Sequence, residues 1–291
     1  MAQWRILDFL AYSGELSASD GHLHASERSV ALSDVAVILL GNKCRVHASL
    51  WDRAAAFDVM VMLCDWRGVP LSCVLPWSHN TRVGARHIAQ ASLTNPRKKD
   101  AWKRIVKAKI RGQAQNFPAN SVSRLALERL AQEVRSGDPS NVEAQAARLY
   151  WQNIFGRELT FERDFNREED QNALLNYGYT VLRGHVIRSI VAAGLWPSLG
   201  IWHRNRSNPF ALADDLIEPF RCIVDWSVQQ LPQGASLKDK DVKAHLVSAV
   251  ETQFRKDGVK TAAAVEDLAQ AFALYVEGSN ERLRVDAWCG P

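Results

Sequence analysis

Strand-like and helix-like patterns occupy different parts of this sequence. Asp20-Gly21 separates two short strand-like stretches and is a strong signal for a β-hairpin. The run 35–40 is apolar at every position and has the length of a buried strand. After Pro76 no strand-like run follows, and apolar side chains recur at helical spacing. This order predicts an α+β protein with segregated parts and argues against alternating α/β units.

The first part, residues 1–80, is predicted to be a small β-sandwich-like domain. Its predicted strands are 15–19, 22–26, 35–40, 45–48, 59–64 and 71–75. Ser49 is placed to cap a short helix that runs to Phe57. Several short strands, tight turns and one short helix are typical of a small sandwich or barrel. Residues 76–81 have the composition of a linker.

The second part, residues 81–291, is predicted to be a larger all-α domain. Its predicted helices are 96–115, 122–134, 141–154, 168–194, 208–231, 242–254 and 261–276. Ser140 is the predicted cap of the third helix.

Composition narrows the class of protein without identifying it. Apolar residues make up 47% and charged residues 23% of the 291 positions, which is ordinary for a soluble globular chain. The five cysteines are scattered and form no Cys-x-x-Cys pair, which argues against a zinc ribbon or a secreted disulfide framework. No apolar run approaches the roughly 18 residues of a membrane span, and the N-terminus lacks a targeting pattern. We therefore expect a cytoplasmic protein with no membrane contact.

Positive charge is concentrated in one stretch of the chain. The formal net charge is only +4, yet residues 82–111 contain ten basic residues and Asp100 as their single acid. The remaining residues are therefore net acidic. Such asymmetry predicts a polyanionic partner.

Three polar residues in the helical part are candidates for a metal site. Glu143 lies in the first turn of a predicted helix, His203 in a short irregular segment and Glu218 in the next helix. Two carboxylates and one imidazole suit a divalent cation and leave positions open for a substrate. Taken singly, each has a more common interpretation: a favourable first-turn acid, a solvent histidine, and an exposed acidic helix start that also includes Asp214 and Asp215.

The motifs that contain these residues resemble a known family. The matching stretches are Gln90 with 102–113, then 143–151, 172–179, 199–203 and 208–221. In this order they resemble the CRISPR adaptation integrase, the larger of the two universal CRISPR adaptation proteins, and most closely the versions of type II systems. The likeness covers nearly the whole chain. Ala144 and Cys222 depart from frequent glycine and proline positions of the family, and neither is a proposed ligand.

The resemblance implies a fold, an activity and an assembly. It implies that Glu143, His203 and Glu218 hold Mg²⁺ or Mn²⁺, with Asp215 as a possible fourth ligand. The implied reaction joins 3′-hydroxyl ends of prespacer double-stranded DNA to the CRISPR repeat by transesterification. The implied assembly has homodimers formed through the N-terminal domains, two of which clamp one dimer of the small adaptation partner protein.

Basic residues are the expected DNA contacts. The candidates are Lys98, Lys99, Lys103, Arg104, Lys107, Lys109, Arg111, Arg148 and Arg206. Tyr177 and Tyr179 are either stacking platforms for unpaired bases or core residues of their helix.

Three other functions stay open from the residues. A metal-dependent endonuclease that cuts branched or double-stranded DNA would use the same site with water as nucleophile. A non-catalytic DNA-binding scaffold would keep the basic helix and tolerate loss of Glu143. A metal hydrolase of small phosphates would need no basic helix.

Overall fold

The computed structural model describes residues 5–65, 70–74, 80–156, 161–164, 170–203 and 205–291, with the strands and one short helix first and the other α-helices after them. The strands are β1 (Arg5–Phe9), β2 (Glu15–Ser19), β3 (His22–Ala25), β4 (Arg28–Ala31), β5 (Val35–Leu40), β6 (Arg45–Val46), β7 (Met60–Cys64) and β8 (Pro70–Val74). The helices are α1 (Ala48–Ala56), α2 (Val83–Ala91), α3 (Asn95–Ala114), α4 (Val122–Glu133), α5 (Val142–Trp151), α6 (Asp170–Ala192), α7 (Ala211–Leu216), α8 (Arg221–Gln229), α9 (Lys240–Ser248) and α10 (Thr261–Val276). The predicted α+β class is confirmed.

The strands form two four-stranded sheets that share a core. The strand orders are β1-β5-β7-β8 and β4-β3-β2-β6. In the first sheet β1, β5 and β7 are parallel, and β8 runs antiparallel to β7. Leu16 and Leu23 of the second sheet pack with Ile38 and Val61 of the first and with Leu50 of α1. The arrangement is sandwich-like, with α1 as the crossover between two parallel strands.

Strand β5 is buried on both faces, which explains its uninterrupted apolar run. Ile38 and Leu40 belong to the core between the two sheets, whereas Val37 and Leu39 belong to the core shared with the helices. Alternate side chains of a strand point to opposite faces, so the first sheet is covered on both faces at β5. A single apolar core therefore continues from this sheet into the helices. The division into domains at residues 80 and 81 stays a prediction.

The long helix α6 joins the sheet to the helical part. A Cβ atom at Gly184 would lie 3.2 Å from Val37 Cγ1, so the helix backbone packs directly on β5. The Tyr177 hydroxyl donates to Asp8 Oδ2 of β1 at 2.9 Å. Tyr177 and Tyr179 are both buried, which places them in the core rather than on a base-stacking surface.

The cap of α1 differs from the sequence-based prediction. His47 precedes the helix, and its Nδ1 accepts a hydrogen bond from the Ser49 amide at 3.2 Å. Ser49 Oγ instead accepts from the Ala18 amide of β2 at 3.1 Å. The serine therefore ties the helix to the second sheet, which a local capping pattern does not reveal.

The cap of α5 also differs from prediction. Asp138, not Ser140, receives the first amides of this helix: Oδ1 accepts from Val142 and Oδ2 from Glu143, both at 2.9 Å. A carboxylate that bridges two free amides at a helix N-terminus satisfies both donors and interacts well with the helix dipole. The main chain of Glu143 is thereby held in place.

The predicted helix 208–231 is broken in the structure. Helix α7 ends at Leu216, a short 3₁₀ turn spans Glu218–Phe220, and α8 begins at Arg221. Pro219 has no amide hydrogen and its ring disfavours a continuous α-helix at this point. The break places Glu218 at a bend instead of on a regular helix face.

Several predicted features lie outside the described residues, and several observed ones had no prediction. Most of the predicted linker, at 76–79, the last residue of the predicted strand 71–75, and the predicted start of α6, at 168–169, fall outside. Strands β1 and β4 and helix α2 were not predicted from the sequence. Within the described ranges, no helix is long and apolar enough to cross a membrane.

The contact between α6 and α8 predicts the effect of a small substitution. A Cβ atom at Gly178 would lie 2.5 Å from Val224 Cγ1, a stiff β-branched side chain. We expect Gly178→Ala to lower the free energy of unfolding by roughly 1–3 kcal/mol because the core is overpacked. Gly84→Ala is the matched control, since no atom lies within 4 Å of that Cβ position in α2. This control should be neutral or stabilising by up to about 1 kcal/mol. Urea denaturation measures both, and equal effects would contradict the predicted clash.

Candidate active site

Two glutamates from different elements meet at one lysine of α3. Lys109 Nζ lies 2.6 Å from Glu143 Oε1 and 2.6 Å from Glu218 Oε2. The exposed fractions of the three side chains are 12% for Lys109, 24% for Glu143 and 7% for Glu218. Gly112 lets α3 pack closely against the chain after the 3₁₀ turn, because a Cβ atom at this position would lie 2.7 Å from Cys222 Sγ. Two of the three predicted ligands are therefore neighbours.

Buried charges keep each other ionised at this point. Burial favours a neutral Glu218, but Arg221 and Lys109 outweigh it and lower the pKa of Glu218 to about 2. Burial likewise opposes a charged Lys109, yet Glu218 and Glu143 raise its pKa above the ordinary value. Arg221 Nε donates to Glu218 Oε1 at 2.7 Å. The second carboxylate oxygen, Oε2, has the ion pair with Lys109 but no well-angled hydrogen bond.

The loop that carries His203 is held by one buried carboxylate. Asp215 is fully buried and accepts backbone amide hydrogens from Ile201, Trp202 and His203. His203 Nδ1 contacts Asp215 Oδ1 at 2.7 Å, and this hydrogen bond raises the pKa of His203 against the opposing effect of burial. Gly200 is required here, because a Cβ would lie 2.8 Å from the His203 carbonyl oxygen. With Nδ1 engaged, Nε2 is the ring nitrogen available to a ligand.

The acids around Glu218 do not share one face. Asp214 pairs with Arg183 at 2.9 Å and accepts from Asn208 Nδ2 at 2.6 Å. Asp215 faces the His203 loop, and Glu218 faces Lys109. Glu218 therefore has different partners from the two aspartates, because regular helix α7 ends at Leu216, between them. The hydrogen bonds place Asp215 behind His203 rather than beside the glutamates.

The described residues contain no group of three metal-binding side chains already close enough to hold an ion. A lysine ammonium lies between Glu143 and Glu218 instead. The donor set still fits a divalent cation. It offers the carboxylates of Glu143 and Glu218, and the buried Oε2 atom of Glu218 has no hydrogen-bond partner. It also offers the His203 imidazole, whose Nδ1 atom is held by Asp215. A carboxylate behind a ligating histidine is the usual support of such a ligand. Lys109 would have to move for all the donors to face one ion.

The basic helix α3 presents its charges to two different sides. Lys109 faces the glutamates, whereas Lys107 Nζ donates to the Gln132 carbonyl of α4 at 3.4 Å. Residues two positions apart lie on opposite sides of a helix with 3.6 residues per turn, and this also separates Arg111 from Lys109. The pKa of Lys107 is lowered, first by burial and then by Arg111 and other cations. The cationic surface therefore lies mainly across α3 from Glu143.

The other predicted DNA contacts differ in their ion pairing and in their exposure to solvent. Lys103 and Arg104 both pair with Asp100 of the same helix, at 2.9 Å and 2.8 Å. Lys98 is half-buried, and the exposed side chains are those of Lys99, Arg111, Arg148 and Arg206. Arg204, next to His203 in the chain, lies outside the described residues. All of these contacts stay predictions.

A buried tyrosine–aspartate network behind the site was missed by sequence reasoning. Tyr150 donates to Asp225 Oδ2 at 2.7 Å, and Tyr179 donates to Asp225 Oδ1. The Arg221 guanidinium lies 4.7 Å from the centre of the Tyr179 ring while it pairs with Glu218. Asp225 thus supports the cation that keeps Glu218 charged. Its only sequence signal is an acid within an apolar helix.

Comparison with known proteins decides the family. The family model described as "CRISPR associated protein Cas1" matches residues 19–264, a span that contains every residue of this site. The chain belongs to the Cas1 family. The CRISPR-associated endonuclease Cas1 of Neisseria meningitidis serogroup C (strain 8013) is 34% identical over 291 residues, covering 96% of this chain and 94% of that protein.

Solved structures agree with the Cas1 fold. A casposase bound to its integration product has a TM-score of 0.75 at 20% identity and covers 97% of this chain and 92% of its own. A Cas6-RT-Cas1–Cas2 complex has a TM-score of 0.75 at 17% identity, covering 98% of this chain and 36% of the longer one. At these identities the likeness shows the fold alone.

The network behind this Cas1-family site predicts a pH effect on stability. Burial raises the pKa of Asp225 from 3.8 to about 6, against the lowering effect of the two tyrosine hydroxyls. A carboxyl group whose pKa is higher in the folded than in the unfolded protein contributes stability at pH values below the unfolded pKa. This contribution is lost as the pH rises through the folded pKa of about 6. Relative to Asp225→Asn, the wild type should therefore be roughly 1–1.5 kcal/mol more stable at about pH 5 than at about pH 7.5. Urea denaturation of both proteins at the two pH values measures this, and a pH-independent difference would contradict the raised pKa.

Proposed function

We propose that this protein is a metal-dependent DNA integrase of CRISPR spacer acquisition. The observation that carries the proposal is the convergence of Glu143 and Glu218 on a single buried cation position. His203 lies near enough for Glu218 to raise its pKa, and Asp215 fixes its ring. Two carboxylates and an imidazole are the donor set that Mg²⁺ or Mn²⁺ uses in phosphoryl-transfer sites.

Names of relatives support this chemistry. The Neisseria meningitidis relative is named an endonuclease, and the casposase neighbour is described with an integration product. The first name states cleavage within a nucleic acid, and the second states the product of an integration. For this chain we propose the same substrate class, double-stranded DNA, with prespacer ends and the CRISPR repeat as the two reacting partners.

The proposed reaction exchanges one phosphodiester for another. The 3′-hydroxyl oxygen of the prespacer attacks a repeat phosphorus, the bond to the repeat 3′-oxygen breaks, and that oxygen takes up a proton. No ATP is required because the number of phosphodiester bonds is unchanged. A bound divalent cation supplies charge neutralisation at the phosphate and favours the alkoxide form of the attacking oxygen.

The residues of the chain have separate tasks in this scheme. Glu143, Glu218 and His203 would hold the cation, and Asp215 would orient the imidazole from behind. Arg221 keeps Glu218 ionised and in place. Lys107, Arg111 and the exposed cations of the other elements would contact DNA phosphates in a salt-sensitive and sequence-tolerant manner.

We also propose the assembly implied by the family: a homodimer, two copies of which bind one dimer of the small adaptation partner. A Cas1–Cas2 complex among the structural neighbours supports a partner of this kind. Three apolar side chains on the β7–β8 edge are exposed: Leu63 at 38%, Leu71 at 65% and Val74 at 44%. An exposed apolar edge strand is typical of an interface, which supports dimerisation through the N-terminal sheets.

A second candidate is an endonuclease that cuts branched or double-stranded DNA without joining. It is favoured by the names of Cas1 relatives, which call them endonucleases. Water would replace the 3′-hydroxyl as nucleophile, and the same protein residues would serve.

A joining assay separates these functions. A supercoiled plasmid that contains the repeat is mixed with a short duplex bearing free 3′-hydroxyls, the small partner protein and Mn²⁺. We expect covalent joining by the wild type and a loss of roughly a hundredfold or more in Glu143→Gln, because an amide is a poor ligand for a hard cation. Glu128→Gln, in a partly exposed pair with Arg124 on α4, is the matched control and should retain joining.

The assay has distinct outcomes for each function. Cutting without joining would support the endonuclease. Binding alone, unchanged by Glu143→Gln, would support a scaffold. Full joining by Glu143→Gln, with DNA affinity equal to that of the wild type, would overturn the proposed site.

A further inference from the structure

We propose that Lys109 occupies the divalent-cation position in the resting protein and leaves it when DNA arrives. This inference rests on the proposed metal site and assigns Lys109 a role beyond phosphate binding. Its ammonium acts as an internal competitor of the metal, so that metal binding and DNA binding become coupled.

The geometry makes the two cations mutually exclusive. Lys109 Nζ is 2.6 Å from one oxygen of each glutamate, so it lies directly between them. Mg²⁺ holds its oxygen ligands at about 2.0–2.1 Å. An ion bound to the same two oxygens would meet the ammonium at close range, and the repulsion is large at a site with little exposure to water.

Glu218 has no second oxygen to offer. Arg221 Nε already uses Oε1 at 2.7 Å, which leaves Oε2 as the oxygen that faces the site. That oxygen is the one paired with Lys109. A metal therefore gains Glu218 only if the lysine withdraws.

A lysine is suited to such a withdrawal. Its ammonium is a point charge on a flexible four-carbon stem, whereas the Arg221 guanidinium is held by its stacking on Tyr179. The Lys109 side chain keeps 12% of its surface exposed and that of Glu143 keeps 24%, so the cluster lies close to the protein surface. A DNA phosphate that enters the site offers the displaced ammonium a new anionic partner. Because coupling between two ligands is reciprocal, DNA should then tighten metal binding and metal should tighten DNA binding at this site.

The test is a Mn²⁺ titration of the full-length protein, followed by electron paramagnetic resonance. We expect Lys109→Met to bind Mn²⁺ roughly 5- to 150-fold more tightly than the wild type without DNA. Lys260→Met removes the same charge from an exposed lysine that pairs with Glu251, away from α3, and should leave Mn²⁺ affinity within about twofold. A short duplex should tighten Mn²⁺ binding by the wild type and have little effect on Lys109→Met.

Two further variants guard against a simple loss of folding. Lys109→Gln keeps hydrogen-bond donors for both glutamates without the charge and should show the same gain in affinity. Lys109→Arg keeps the charge and should bind Mn²⁺ as weakly as the wild type. Thermal denaturation adds a second readout, since Mn²⁺ should raise the Tm of Lys109→Met and Lys109→Gln more than that of the wild type.

The outcomes distinguish this inference from the proposed function. Equal or weaker Mn²⁺ affinity in Lys109→Met and Lys109→Gln overturns the competitor role, while Mn²⁺-dependent joining by the wild type leaves the integrase proposal standing. Joining that proceeds without any divalent cation overturns the metal site itself, and the competitor role with it. Adding Glu143→Gln to Lys109→Met should abolish the gain, because one of the two carboxylates is then lost.

Discussion

The rest of the site depends on one contact, the ammonium of Lys109 between the carboxylates of Glu143 and Glu218. Two negative charges in a poorly solvated place repel each other, and their proximity requires a cation. Removing one partner of a buried ion pair costs about 3–5 kcal/mol, which is a large fraction of the stability of a domain. In the resting protein Lys109 meets this requirement. In the proposed reaction a divalent cation meets it. The two carboxylates therefore need a positive charge between them both in the folded resting protein and during catalysis.

The fold brings these groups together from distant parts of the chain. Asp138 caps α5 and fixes the backbone of Glu143. Pro219 interrupts the helix after α7, so that Glu218 projects from a bend toward α3. Asp215, fully buried, gathers three backbone amides and thereby fixes the His203 loop. Each of these devices satisfies groups that a helix end or a loop would otherwise leave unpaired. The hydrogen bonds that satisfy these backbone groups therefore also position the side chains of the site.

Sequence reasoning recovered what depends on local pattern. The apolar run of β5 and the periodicity of α3 and α6 predicted their elements, because burial on two faces or one face leaves a direct periodic signal. It missed β1 and β4, which are short and become strands only through pairing with β5 and β3. Within the site, residue chemistry made Glu143, His203 and Glu218 candidates, and the resemblance of their motifs to a known family implied that they are ligands. It could not reveal that Lys109 lies between the glutamates, or that Asp225 supports Arg221 from behind, because both facts depend on contacts between residues far apart in sequence.

The most direct test of this account is a crystal structure of the protein soaked with Mn²⁺ and a short duplex, with anomalous scattering used to locate the metal. The account predicts a manganese peak at about 2.0–2.3 Å from Glu143, Glu218 and His203 Nε2, with Lys109 Nζ turned away toward a phosphate. A structure in which Lys109 remains between the two carboxylates, and manganese binds elsewhere or not at all, would contradict it.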